Sequence, residues 1–315
     1  MKQQHGIALI TILVMIALAT ILAATIAKRQ AATAESTAYL MRQNQSLMYA
    51  KSAEAFFSEL LVDDTENAAD VDHLNETWAQ PMPPFLVEDG YVMGRLEDES
   101  GKFNLNSLVT ADGAVNEPAK KWFELILKRV GLSEQLSEAV IDWQDSDELP
   151  IGPMGAESNY YQGLPNAALP PNAKFHSVEQ LKLVRGFEDN RYKLLMPYVT
   201  TAPLNDSQVN INTAPAVVLA SLDEKLDINA VQQALDQKFG QQEHFANVSD
   251  LWQIPPFDQV AAENRNQFAS LLGVKSNFFK ARIEVMLSER KRQFTSDLVR
   301  EDNKVYVAYR SMAPF

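Results

Sequence analysis

The sequence predicts an α+β fold: a long N-terminal helix and a small antiparallel sheet, interrupted by a large helical insertion. Three observations predict it. A helical stretch runs unbroken from Ile7 to Leu61, alternating apolar residues mark strands near the C-terminus, and helical patterns dominate the region between. With 315 residues, 46% of them hydrophobic, the chain can bury a core in two modest domains or one large one.

The first element follows a short polar leader. From Ile7 to Ala27 there is no charged residue, Gly or Pro. At about 1.5 Å per residue, such a helix crosses a hydrocarbon core of roughly 30 Å. A cleavable secretory signal is the competing reading, with Ala32-Thr33-Ala34 as its small-residue pattern. Its apolar region would normally be only about 7–15 residues long, and Lys28 and Arg29 stand between the run and that pattern. Helical character continues, because after Gly6 neither Gly nor Pro occurs until Pro81. Ala53, Phe56, Phe57, Leu60 and Leu61 fall on the stripe of an amphipathic helix. We read one helix from Ile7 to Leu61, on the order of 80 Å long, that ends at Asp63-Asp64-Thr65.

Pro81, Pro83 and Pro84 break any helix in the connection that follows. Residues 90–108, "GYVMGRLEDESGKFNLNSL", read as a strand pair around the turn cluster Asp98-Glu99-Ser100-Gly101. At the other end, Phe279, Ala281, Ile283, Val285 and Leu287 alternate with mostly polar residues, as a half-buried strand requires. Val305, Val307 and Tyr309 mark a second such strand, and Phe294 to Val299 a third between them. Residues 110–275 read as helical, for example 117–132, with Pro118 near the start and Gly131 near the end. Neither flank completes a sheet alone.

Two segments of the chain echo each other: "FNLNSL" at 103–108 and "VNINTA" at 209–214. In the second, Asn212 or Thr213 is a candidate cap for the helix that Pro215 begins. A similar opening occurs in helix-hairpin-helix DNA-binding modules, but those need glycine-rich hairpins and basic neighbours. Here Asp223, Glu224 and Asp227 follow, and structural capping is the better reading. The stretch 142–161, "DWQDSDELPIGPMGAESNYY", gathers Asp142, Asp145, Asp147, Glu148 and Glu157 around Pro150, Gly152, Pro153 and Gly155. Carboxylates on an irregular loop suit a hard cation such as Ca²⁺. A solvated acidic loop is the alternative, because no EF-hand pattern is present.

The net charge of −13 argues against a nucleic-acid partner, which requires clustered Lys and Arg. The absence of cysteine excludes disulfides and thiol chemistry. The four histidines are scattered, with no HExxH spacing to mark a catalytic metal.

The leader ending in Gly6, the apolar helix that begins at once and the amphipathic stem resemble type IV pilins and the pseudopilins of type II secretion. That resemblance implies cleavage between Gly6 and Ile7 by a prepilin peptidase, and methylation of the new N-terminus. Most members carry Glu at the fifth residue after the cut, thought to neutralise the terminal amine of a neighbouring subunit; this chain has Thr11. A carboxylate in hydrocarbon is costly without a partner, and a subunit with none ahead of it meets no such amine. With Thr11, the FNLN and NxNTA segments and Gly155-Ala156-Glu157, the chain is similar to the K-class minor pseudopilins. The resemblance implies a pilin-like stem and sheet with a big helical insertion, and calcium in that insertion. It implies Asp145, Asp147, Glu157 and Asn159 as ligands, with Asp142 behind them. Ser158 departs from the acidic residue usual there.

The implied role is noncatalytic: a subunit at the pseudopilus tip that joins I- and J-class pseudopilins, with the H class as a further candidate, starts assembly and caps growth. The corresponding divisions are 1–6 leader, 7–27 membrane span, 28–64 periplasmic stem, 65–109 first part of the sheet, 110–275 inserted helical domain and 276–315 closing strands. Charge alone argues for the opposite orientation, because Lys28 and Arg29 follow the span. The resemblance places the leader in the cytoplasm and the bulk of the chain in the periplasm, anchored once in the bacterial inner membrane. Two other classes remain open at this point, a membrane-anchored periplasmic enzyme and a DNA-uptake protein.

Overall fold

The computed structural model describes residues 5–67, 70–204, 207–301 and 304–312; residues 1–4 of the expected leader lie outside them. Helix α1 (His5–Asn67) is 63 residues long, about 95 Å at the usual rise. It runs through the expected exit at Asp63-Asp64-Thr65. The Thr65 hydroxyl donates back to Leu61 O at 2.9 Å within the helix, and from a distant strand Arg300 holds the Asp64 carboxylate at 3.1 Å.

A five-stranded antiparallel sheet lies along the outer half of α1. Its members are β1 (Phe85–Val87), β2 (Gly90–Asp98) and, far along the chain, three strands that follow the insertion. Within the insertion come β3 (Phe103–Asn104), α2 (Glu117–Arg129), α3 (Leu136–Asp142), α4 (Ser158–Gln162), α5 (Tyr192–Leu195) and β4 (Val199–Thr200). Then follow β5 (Val209–Asn210), α6 (Ala216–Ala220), α7 (Ile228–Gly240), α8 (Val248–Leu251), α9 (Ala262–Phe268) and β6 (Leu272–Gly273). The sheet closes with β7 (Phe278–Leu287), β8 (Arg290–Glu301) and β9 (Lys304–Ser311), in the order β1-β2-β7-β8-β9.

The strand pair expected within residues 90–108 does not form. β2 pairs with β1 and β7, from Gly90↔Leu287 to Asp98↔Phe279, while β3 pairs in parallel with β4. The cluster at 98–101 does turn the chain, since Asp98 accepts from Ser100 N at 2.7 Å, but the turn leads into the insertion. Alternation along β7 puts Ala281, Ile283, Val285 and Leu287 into one core with Phe57 and Leu61 of the stem and Val92 and Leu96 of β2. β1, too short to show a period, was not anticipated.

Strand β8 runs in the same direction as α1, and polar ties join the two at matched intervals. Arg292 donates to Ser46 Oγ at 3.0 Å, Ser296 to Glu54, and Arg300 to Asp64 at 3.1 Å. Steps of eight and ten residues along the helix cover about 12 and 15 Å; four residues of strand cover about 13 Å. The two rises therefore stay in register. The β7–β8 turn, Ser288-Glu289 in the left-handed region (φ 48 and 64), consequently lies toward the apolar end of α1, and the insertion leaves from the far end.

The insertion has its own core, built around Phe103, Trp122, Phe123, Phe187, Phe257 and Phe268. α2 starts and stops as its sequence predicts, with Pro118 in the first turn and Gly131 at φ 80 beyond the end, and Asn116 Oδ1, which the sequence pattern did not single out, caps it by accepting from Ala119 N. The two echoing segments are structurally equivalent. Asn104 Oδ1 accepts from Asn106 N at 3.1 Å and Asn210 Oδ1 from Asn212 N at 2.9 Å. Asn106 then clips Phe175 through both N–H and C=O, and Asn212 clips Phe245 in the same way. A capping box follows each clip, Ser177/Gln180 and Asn247/Asp250. Each half ends in a short parallel pair, β3 with β4 and β5 with β6. Neither Asn212 nor Thr213 thus caps α6, whose N-cap is Pro215, because the Asn212 amide is committed to Phe245 and the Thr213 hydroxyl donates to Asp98 Oδ2.

Arg300, 7% exposed, also pairs with buried Asp72 at 2.5 Å. Replacing it with Met leaves Asp64 and Asp72 without their cation. We expect Arg300→Met to cost about 3–5 kcal/mol, read by chemical denaturation; a loss below about 1 kcal/mol would mean the pair is solvated.

Candidate metal centre

Helix α3 is buried on the core of the insertion and ends at Asp142. Two of its carboxylates, one turn apart, hold the loop that follows by its amides. Glu138 accepts from Met154 N at 2.7 Å, and Asp142 accepts from Ile151 N at 3.1 Å and Ala156 N at 2.7 Å. Arg185 fastens the same loop from outside through Gly155 O at 2.8 Å. Gly155 is required by close approach, because a Cβ there would stand 2.5 Å from Asp142 Oδ2 and Ile151 O. Behind the loop, Trp143 packs edge-on against Tyr161 and stacks on Phe175.

The structure brings Asp142, Asp145 and Glu157 together, one oxygen from each lying within 4.8 Å of the others. They are 0%, 6% and 4% exposed. Asp145 Oδ1 and both Glu157 oxygens are buried without a hydrogen-bond partner. Burial, reinforced by mutual repulsion, pushes Asp142 and Asp145 up to about 6 and Glu157 to about 7. Among the described residues, no Lys or Arg pairs with any of the three. An oxygen-only set with orphaned buried carboxylates has the chemistry that a hard cation takes.

The remaining candidates are placed differently. Asp147 is exposed and accepts from Leu149 N at 2.7 Å; Asn159 is exposed on α4. Asp147 stands outside the cluster of three. Asp142, expected behind the ligands, is one of its three members. Ser158 donates its hydroxyl to Glu148 at 2.8 Å. A second acidic triad, Asp64, Asp72 and Glu76, lies at the stem end, but the Arg300 guanidinium already serves Asp64 and Asp72 there.

Gly6 and Ile7, the expected processing residues, lie in the first turns of α1. Thr11 Oγ1 reaches Ile7 O and Ala8 O, both at 2.9 Å, so its hydroxyl is satisfied within its own helix. α1 contains a stretch long and apolar enough to cross a membrane, with none of it buried in the fold.

Two family models, both described as type II secretion system (T2SS), protein K, match residues 101–204 and 209–275; the two matches divide the insertion as its asparagine clips do. Type II secretion system protein K of Pseudomonas aeruginosa is 34% identical over 322 residues, covering 99% of this chain and 93% of its own length. That of Aeromonas hydrophila is 31% identical over 332 residues, covering 98% and 97%. The crystal structure of the GspK-GspI-GspJ complex from enterotoxigenic Escherichia coli superimposes with a TM-score of 0.78 at 23% identity, over 89% of this chain and 99% of the matched one. The fold is therefore the pilin-like one, and the chain belongs to the type II secretion system protein K family, the K class of minor pseudopilins.

Proposed function

We propose that this chain is the noncatalytic tip subunit of the pseudopilus, starting its assembly and capping its growth. The polarity of stem and sheet carries the reading. The ties of β8 to α1 direct the insertion away from the apolar end, where its bulk blocks addition of a further subunit. Thr11 supports the same place, since its hydroxyl is satisfied within its own helix and asks for no amine ahead. The chain is anchored once in the inner membrane with its bulk in the periplasm, after cleavage between Gly6 and Ile7 and methylation of Ile7. Its partners are the I and J classes, consistent with the complex in which its structural neighbour was solved, with the H class as a further candidate. A groove of about 200 Å³ supports lateral packing of stems; Phe56, Phe57, Phe85, Val92 and Met93 help to line it, between α1 and the β1–β2 edge.

The metal is Ca²⁺, held by the side chains of Asp142, Asp145 and Glu157; bound there, a divalent cation offsets most of their negative charge and ties α3 to the start of α4. DNA uptake is not favoured, because Asn210 and Asn212 are buried and their amides serve Asp72, Ser276 and Phe245. An enzymatic role is not favoured either, because Glu138 and Asp142 are committed to loop amides and Asp145 and Glu157 are given to the proposed ion.

Intact mass of the membrane-extracted chain, made with and without prepilin peptidase, tests the class. Loss of residues 1–6 plus one methyl group is expected only with the peptidase; an uncut chain in both preparations would refute processing.

Calcium at a hundredfold excess over its Kd should stabilise by about 2.7 kcal/mol, roughly 5–10 °C in melting temperature. Asp145→Asn and Glu157→Gln should abolish that rise, whereas Asp147→Asn keeps it. A rise lost with Asp147→Asn and kept in the other two would refute the ligand set.

The same difference should depend on pH. Raised carboxyl groups bind more protons in the folded chain than in the unfolded one. The metal-free fold therefore loses their contribution as pH climbs from about 4 through 6 to 7. The gap between calcium and EDTA melts should be wide at pH 7.5 and shrink toward pH 5; a constant gap would exclude these groups as ligands.

A further inference from the structure

The end of the sheet nearest the membrane carries a charge opposite to that of the chain as a whole. Residues 28–42 hold three cations, Lys28, Arg29 and Arg42, against Glu35, and residues 289–292 hold Arg290, Lys291 and Arg292 against Glu289. Elsewhere the acidic residues dominate, giving −13 overall. Lys291 is partly answered by Glu284. Arg290 and Arg292 lie over the exposed Tyr39 ring at 5.9 and 5.6 Å, and Arg292 is pinned to the stem through Ser46.

Between stem and turn opens a cleft of about 600 Å³, lined by Ala32, Glu35, Ser36, Tyr39, Arg42 and Arg290. Ala32 and Ser36 leave it room, two guanidinium groups flank it, and Glu35 is its one carboxylate. Tyr39 lies 12 residues beyond Ala27, about 18 Å along the axis. The headgroup layer occupies about 5–8 Å of that distance, and a stem tilt of about 20° lowers the turn further. On an upright stem Tyr39 then stands about 10–13 Å above the headgroup layer, and a tilt toward the side that carries the sheet brings the off-axis Arg290 to about one Debye length from it, roughly 8 Å at physiological salt. A chain with one basic end and an acidic remainder is turned basic end first toward an anionic surface.

We propose that this cleft and the β7–β8 turn bind the phosphate headgroups of anionic phospholipids, seating the sheet on the bilayer before the subunit enters a filament. The proposal rests on the membrane-anchor reading of α1. It also gives Lys28 and Arg29 a place, as the first cations of a row that continues upward to Arg42 and Arg290.

Hydrogen exchange of the full chain in lipid nanodiscs tests it, comparing phosphatidylcholine discs with discs containing phosphatidylglycerol. Amides at the end of β7 and the start of β8 should exchange about tenfold more slowly with phosphatidylglycerol, and the protection should vanish at high salt. The double variant Arg42→Gln, Arg290→Gln changes two exposed side chains and should lose the protection while melting at the parent temperature. If the variant does not fold, the salt and lipid comparisons on the parent chain decide. Equal exchange in both lipids by an inserted chain overturns the proposal alone. A chain that enters neither disc overturns it together with the anchor reading. Protection by inorganic phosphate in phosphatidylcholine discs would show a site for free phosphate and overturn the lipid assignment.

Discussion

β2 and β7 pair from Gly90 to Asp98 although 178 positions separate Ser100 from Phe278. An unstructured loop of that length would set an entropic cost against every strand bond, one that grows by about 0.6 kcal/mol for each doubling of length. The insertion lowers that cost by bringing its own ends together. Asn210, at the start of the second repeat, donates its backbone N–H to Ser100 O at 2.9 Å and its side-chain amide to Ser276 Oγ at 2.7 Å. Ser100 Oγ in turn accepts from Asn277 N and Phe278 N, and Glu99 N donates to Phe278 O. Entrance and exit are fixed side by side by one asparagine and two serines. The sheet, and the face it gives the stem, depends on the insertion being folded.

The stem depends on the sheet in the same way. Beyond the apolar span, α1 exposes a long side to water and keeps its helix mainly through what packs on it. Phe57 and Leu61 supply the apolar part, and the three ties to β8 set the register. Glu54 is the middle tie, buried at 3% and answered by Arg310 of β9 as well as Ser296. One carboxylate thereby joins the helix to two adjacent strands. A helix sliding by one turn would separate all three ties at once.

Much of this was legible in the sequence, and what was missed has a common cause. The stem, α2 and the C-terminal strands show their period over many residues, and that period is local information. The partner of β2 is not local: residues 90–108 contain a strand, a turn and two further extended residues, and nothing there records that β7 fills the second edge. Asp98 accepts from Ser100 N as a turn residue should, so the turn was read correctly and its destination was not. Asn212 has the chemistry of a helix cap; only the position of Phe245 shows what its amide does. In the acidic cluster, Asp145 and Glu157 were picked out by acid density beside Gly and Pro, and the structure brings them together. Asp142 was undervalued, although Val140, Ile141 and Trp143 around it signalled a buried helix end. Asp147 and Asn159 were chosen from their place in the motif, which does not encode exposure.

The two acidic triads pose one problem, carboxylates crowded together out of water, and among the described residues only one of them meets it with a side-chain cation. At the stem end, burial and the neighbours Glu76 and Asp72 hold Asp64 up at about 6 in spite of Arg300, and the guanidinium stays because it also bonds Ser276 O, Asp72 and Thr65. A side-chain cation suits that position, where strand, stem and insertion must be joined permanently. At the loop after α3 no side chain among the described residues plays this part, which leaves protons or an ion from outside to settle the charge. The loop is also coupled inward. Trp143 stacks on Phe175, the residue clipped by Asn106, and Gln144 donates to Leu105 O at 3.2 Å. Whatever settles the charge on Asp142, Asp145 and Glu157 therefore acts on the clip of the first repeat. Through Asn106 and Asn104 to Ala202 O, it also acts on the segment that leads to the second. Arg300 makes the stem junction independent of its surroundings, whereas the charge on the loop after α3, which no Lys or Arg among the described residues answers, is left open to them.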